Sequence, residues 1–333
     1  MFQTEVILLF QSLASDFWTV FFNFWTEIGY ARWVIPLILL IMFGVSLRTG
    51  FILLHAVFWN GMVTFYLKEW FSLPRPCNVD QNVQLLDKGV PNPTVFEKQG
   101  ARSFFGRLPA DVVDSIRANP LDSWGLPSGH TSNAVTLWGL ISLSYKKTWV
   151  RVIAGCMLIF IPLSRIYLGR HFLADVLAGY ALGLVFVILF YHGVYKSTGF
   201  KKVFESTWAQ TNWNLTTCLF LIYLLALPLG LLLFPGLNFE AVGAFLGMNL
   251  GYLLLKFRGV PKDSGTLWKR TARVLVVAVF YLGLEMLGRG LQSLLSIQPS
   301  ATWDFTRAVF TMTLLMWGAT ELNIRLGFFR RWK

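Results

Sequence analysis

The chain has 333 residues, of which 55% are hydrophobic, 16% aromatic and only 14% charged, against about 25% charged in an average soluble domain. With a mean hydropathy of +0.55, this composition excludes disordered, collagen-like and disulfide-scaffold chains and points away from an ordinary soluble globule, toward a polytopic membrane protein. The net charge of +12 would suggest nucleic acid in a soluble protein, so its distribution along the chain decides its meaning. Residues 1–29 come first. Between Thr4 and Glu27 the chain is apolar, with Ser12, Asp16, Thr19, Asn23 and Glu27 at spacings of three and four. That period predicts an amphipathic helix lying in the membrane interface, with a further span as the alternative. The stretch has no Lys or Arg and so lacks the basic start of a signal peptide.

Residues 30–200 then carry apolar spans at 31–47, 50–67, 129–145, 149–167 and 172–193, and residues 201–333 carry four more at 213–234, 238–257, 272–295 and 303–325. Each is long enough to cross a bilayer as a helix. The expected fold class is all-α: a polytopic membrane helical bundle of about nine transmembrane helices plus the amino-terminal interfacial helix. The connection 68–128 differs from the others, being long, polar and rich in Pro and Gly. Within it, Pro109 to Asn119-Pro120 begins and stops as a short helix should, either a lid over a site or a solvated connector.

Three polar clusters stand at the ends of apolar helices, where charge is costly. In the first, Lys68 and Arg75 are two helical turns apart before Pro74 and Pro76 end the helix; alone they would read as snorkelling anchors. The second, Gly125-Leu-Pro-Ser128-Gly129-His130-Thr131, opens the third span. It is either a plainly capped helix start or an anion site made of backbone N–H groups, a hydroxyl and an imidazole. In the third, Ser164-Arg165 is followed by Gly169, Arg170, His171 and Asp175. The last two are at i and i+4, where an Asp can fix the tautomer of a His and stabilise its positive ring.

Beyond these, Gly243, Gly247 and Gly251 repeat every fourth residue in the seventh span, which suits close helix docking. Glu285 with Arg289, and Glu321 with Arg325, are i, i+4 pairs expected to neutralise themselves. Of the cysteines only Cys77 is near the outer loop, while Cys156 and Cys218 lie in spans, so no structural disulfide is expected.

Alternating the connections places 17 basic residues, from Arg48 to Lys333, on one side with only Glu205 and Asp263. The other side holds 12 basic residues with 13 acids. By the positive-inside rule the first side is cytoplasmic, with the carboxyl end. The 68–128 loop then faces the periplasm, lumen or exterior, and the +12 is an orientation signal, with no nucleic-acid partner expected.

Taken together, the clusters read K-x6-RP at Lys68 to Pro76, PSGH at Pro127 to His130, and SR-x5-H-x3-D at Ser164 to Asp175. From about Tyr30 to Tyr195 the chain closely resembles the type 2 phosphatidic acid phosphatase superfamily, with no departure at a motif position. The resemblance implies a metal-independent phosphoric monoester hydrolase, for which no cofactor is expected. In it His171 would be the nucleophile, Asp175 would orient it, and His130 would protonate the leaving group and then activate water. Lys68, Arg75, Arg165, Ser128 and Gly129 would hold the phosphoryl oxygens. Arg170 is not a motif position. The expected partners are a phosphorylated lipid substrate and membrane lipids, with monomer and homodimer both open. The same resemblance leaves open a sugar phosphatase like glucose-6-phosphatase, or transfer of the phosphate to a lipid or sugar acceptor. The four carboxyl-terminal spans look like those of sphingosine-1-phosphate phosphatases.

Overall fold

A computed structural model of the chain describes residues 1–119, 121, 123–234 and 236–331. Pro120, expected to stop the loop helix, and Lys333, counted on the basic side, lie outside the described residues. The helices in order are α1 (Glu5–Gln11), α2 (Asp16–Ile28), α3 (Ala31–Leu40), α4 (Leu47–Phe71), α5 (Pro76–Val79), α6 (Ala110–Ala118), α7 (Gly129–Ser144), α8 (Thr148–Tyr167) and α9 (Leu173–Ile188). They are followed by α10 (Thr198–Glu205), α11 (Leu215–Leu221), α12 (Leu227–Gly230), α13 (Phe239–Leu255), α14 (Leu267–Leu294), α15 (Ala301–Leu314) and α16 (Thr320–Arg325). A two-residue β1 (Pro261–Lys262) pairs antiparallel with β2 (Arg330–Arg331).

Each of the nine predicted stretches is helical over most of its length. Five helical stretches are long and apolar enough to cross a bilayer: Leu47–Val79, Thr148–Tyr167, Leu173–Tyr195, Leu215–Leu233 and Leu267–Leu294. The chain is an integral membrane protein on that ground. Ala31–Val45 and Phe239–Leu255 are shorter apolar helices. Helix α7, read as the third span, has 16 residues and a polar first turn whose groups are used internally. The Asn60 amide donates to Ser132 Oγ at 3.1 Å and to Asn133 Oδ1 at 2.6 Å, and the Thr64 and Ser132 hydroxyls are 3.1 Å apart.

The chain divides into two compact units, Met1–Ile38 with Ile52–Lys196, and Leu39–Phe51 with Ser197–Lys333. In the first, the predicted amphipathic helix is two helices, α1 and α2, bent by 119°. The Ser15 hydroxyl starts the second by accepting the Trp18 N–H. One face of α2 packs on α8, with the Phe22 ring 4.4 Å from Tyr167 and Trp25 4.9 Å from Phe160. Phe17, Val20 and Phe24 are exposed.

Helix α9 lies against α7 at two glycines. A methyl at Gly179 would stand 2.7 Å from the Ser128 carbonyl oxygen, and one at Gly183 2.6 Å from Val135 Cβ. The long loop is a packed cap with its own apolar core, in which Ile7 of α1 meets Val83, Leu108, Val112, Trp124 and Phe172. Helix α6 is tied down by Arg117, which donates to the carbonyls of Phe71 and Ser72 at 2.9 and 3.2 Å.

In the second unit, the glycine stripe of α13 receives α15 and the turn after it. Added methyls at Gly243 and Gly251 would lie 2.6 Å from Phe305 O and from Met316 Cβ. Among the described residues, the two expected i, i+4 ion pairs are absent. Glu285 binds Arg307 at 2.8 Å, and Arg307 also reaches Glu240 at 2.6 Å. Glu321 binds Arg331 of β2. The physical reason is reach: a guanidinium presented from a neighbouring element meets the carboxylate more directly than one a turn away on the same helix.

Candidate active site

The site is built in the first unit, where α4, α7, α8 and α9 end. Lys68 is in the last turn of α4, and its Nζ donates to the carbonyls of Trp124 and, at 3.0 Å, Gly125. Arg75 starts α5 in an extended conformation, which Pro76 at the first helical position favours. Its guanidinium donates to Ser123 O at 3.2 Å and Ser123 Oγ at 2.9 Å. Arg165 comes from the last turn of α8 and donates to the Thr26 hydroxyl of α2. It is buried, with Nε unpartnered.

Gly169 then takes φ +72°, a conformation that favours glycine, and turns the chain so that His171 precedes α9. His171 Nδ1 is 3.2 Å from Asp175 Oδ2, which also accepts the Phe172 N–H at 2.9 Å. The backbone of Asp175 anchors α7 as well, because its carbonyl accepts the Ser128 N–H at 2.9 Å.

Lys68, Arg75, Gly129, His130, Arg165 and His171 surround one pocket of about 340 Å³, together with Tyr30, Ser123 and Arg170. Asp175 lies behind His171. Ser128 is also behind the wall, fully buried, with its Oγ accepting from Thr131 Oγ1 at 3.0 Å. Arg170 is held by Asp87, with an ion-pair distance of 2.7 Å. Tyr30, Ser123, Thr26 and Asp87 were missed by the sequence reading, since none belongs to a local pattern. A second cavity of about 670 Å³, lined in part by Asn78, Lys88, Ser115 and Asn119, shares Arg75, Ser123 and Arg170 with the first.

Residues 49–199 match the model of the PAP2 superfamily. All eight expected site residues fall within the matched segment, whereas Tyr30 and Thr26 precede it.

Phosphatidylglycerophosphatase B of Bacillus subtilis is 40% identical over 76 residues, which are 20% of this chain and 37% of that protein. The chain thus spans about a third of that relative's length. A lipid A 4'-phosphatase of Bacteroides thetaiotaomicron is 25% identical over 203 residues, 59% of this chain and 78% of the relative. The crystal structure of Aquifex aeolicus LpxE aligns with a TM-score of 0.44 at 23% identity, over 58% of this chain and 96% of that one.

The pocket has a definite chemical capacity. Burial, then the charges of Lys68, Arg75 and Arg165 and the neighbouring His130, hold the His171 imidazole well below its ordinary pKa. The ring is therefore neutral near pH 7. With Nδ1–H directed at Asp175, Nε2 keeps a free electron pair on the pocket side. Three cations and a helix start are suited to a tetrahedral oxyanion.

Proposed function

We propose that the protein hydrolyses a lipid phosphate monoester or diphosphate through a phosphohistidine intermediate on the extracytoplasmic face of a membrane. The observation that carries this reading is the convergence of Lys68, Arg75, Arg165, His130 and His171 on one 340 Å³ pocket. His171 Nε2 attacks phosphorus in line, the ester P–O bond breaks, and His130 gives its proton to the leaving oxygen. His130 then takes a proton from water as its oxygen attacks phosphorus, the P–N bond breaks, and inorganic phosphate leaves. Asp175 balances the positive ring of the intermediate. Lys68, Arg75, Arg165 and the Gly129 N–H hold the phosphoryl oxygens, while Ser128 fixes the start of α7 from behind.

A lipid is favoured over a free sugar phosphate because the reacting groups lie at the ends of apolar helices, where a headgroup can enter while its acyl chain stays in the bilayer. The names of the two relatives, each a phosphatase of a lipid, support the same choice. We further read residues 30–200 as the phosphatase core in a plan of about nine spans, with 1–29 at the interface, 201–333 as a helical extension and the carboxyl end cytoplasmic. Lys201 and Lys202 belong to the basic side of that plan.

Phosphate release by the purified protein from sphingoid, isoprenoid, glycerolipid and sugar phosphates tests the reading, with His171→Ala as control. Parent-rate release by that variant would remove the nucleophile assignment, and a preference for the sugar phosphate would remove the lipid. The adjoining 670 Å³ cavity, whose mixed lining includes the amides of Asn78 and Asn119 and the hydroxyl of Ser115 beside apolar side chains, favours a second reading, transfer of the phosphoryl group to an acceptor hydroxyl. Label from a phosphorus-32 substrate moving to an added acceptor, in place of water, distinguishes the two.

A further inference from the structure

We propose that Gly29 and Tyr30 are positioning residues that hold the His130 ring in the orientation from which it protonates the leaving oxygen. This rests on the reading of His130 as the acid, and it extends the site to a segment outside the PAP2 match at 49–199. A general acid works only when its proton lies along the line to the leaving group, so something must set the rotation of the ring. His130 Nε2 is buried and has no hydrogen-bond partner. Its orientation is set instead by packing.

The Tyr30 ring meets the His130 ring edge to face, at 4.5 Å between centroids and 88° between planes. Gly29 lies against the same ring so closely that a Cβ there would be 2.8 Å from His130 Cδ2, with Thr26 O and Ile161 Cγ2 at 3.2 and 3.3 Å on its other sides. The imidazole therefore sits in a slot with a glycine wall and an aromatic wall.

The slot is fixed to the rest of the site. Thr26, one turn earlier on α2, accepts from Arg165, and Thr19 bonds the Tyr167 hydroxyl at 3.0 Å. Arg32, paired with Glu27, covers the Tyr30 ring at 5.2 Å. The end of α2 thus contacts the acid through Gly29 and Tyr30 and a phosphate cation through Thr26, and the register of this helix sets the alignment of both.

The test compares kcat/KM for hexadecyl phosphate, a poor leaving group that needs the acid, with that for p-nitrophenyl phosphate, which does not. Full-length protein in detergent is used throughout. Tyr30→Met, which retains bulk without an aromatic edge, and Gly29→Ala are expected to lose roughly tenfold or more on the alkyl substrate but less than about threefold on the aryl one. Tyr30→Phe keeps the edge contact and should retain the parent ratio between substrates. Turnover of the aryl substrate reports an assembled site in each sample, and Tyr30→Met decides the matter if Gly29→Ala does not assemble. His130→Ala separates the two levels of inference. If it shows the leaving-group dependence while Tyr30→Met and Gly29→Ala lose equally on both substrates or on neither, the positioning role is overturned and the acid reading stands. If His130→Ala itself loses equally on both, the acid reading fails and the positioning role fails with it.

Discussion

Asp175 Oδ2 lies 3.2 Å from His171 Nδ1 and accepts the Phe172 N–H as well, so the backbone aims the carboxylate at the ring. An Asn in this place fits sterically and can keep its oxygen on the Phe172 N–H, but it supplies no charge for an imidazolium. Asp175→Asn is expected to lower kcat by about 10²–10⁴-fold with little change in KM. Retention of more than about a tenth of the parent kcat would remove Asp175 from the support of the nucleophile.

The low pKa of His171 has a direct signature. In the proposed reaction the neutral ring is the reactive form, and burial, then the surrounding cations, disfavour its protonation, so the acid limb that His171 gives to kcat/KM should lie below the ordinary histidine value near 6.5. Replacing Lys68 by Met removes one cation, which raises the His171 pKa and moves the acid limb to higher pH. The measurement is a pH profile corrected for the ionisation of free substrate. An unchanged or lowered limb in Lys68→Met would contradict the electrostatic coupling.

Close packing of α9 on α7 at Gly179 makes that position a stability test with a functional readout. A methyl there meets Ser128 O at 2.7 Å and Thr131 Cβ at 2.8 Å, so Gly179→Ala should cost about 1–3 kcal/mol through overpacking. Phosphatase activity should fall with it, because the helix start that carries His130 is pushed. At Gly155 of α8 nothing stands within 4 Å of an added methyl. Gly155→Ala is expected to be neutral or mildly stabilising. Thermal unfolding of both variants in detergent checks the contrast.

In the second unit, Arg307 ties α15 to Glu285 and Glu240. Arg307→Met leaves Glu285 mostly buried without its partner, a change expected to cost on the order of 2 kcal/mol. Arg289→Met should have little effect, although Arg289 is the residue one turn from Glu285. Equal losses in unfolding midpoint would restore the intrahelical pair.

The difference between those two arginines illustrates what spacing along a chain can and cannot reveal. The motif residues were legible because each cluster is local: Lys68 and Arg75 on one helix end, Ser128 to His130 in one helix start, His171 and Asp175 one turn apart. Thr26 meets Arg165 across 139 residues and Asp87 meets Arg170 across 83. Such contacts leave no periodic trace. The nine apolar stretches were readable as helices, but hydropathy did not register that the polar first turn of α7 is spent on Asn60 and Thr64. Nor could it show the 119° bend between α1 and α2, since a corner capped by Ser15 leaves the amphipathic period nearly continuous.

Among the described residues, the hydrogen-bond partners of Lys68, Arg75 and Arg165 are carbonyl and hydroxyl oxygens, never a carboxylate. These neutral oxygens hold the side chains in place without cancelling their charge. Such a pocket does not distinguish a bound ester from the free dianion it yields, because both present the same tetrahedral oxygens to the same three cations. Under the proposed reaction, inorganic phosphate is therefore expected to inhibit competitively, which initial rates at several phosphate concentrations would check.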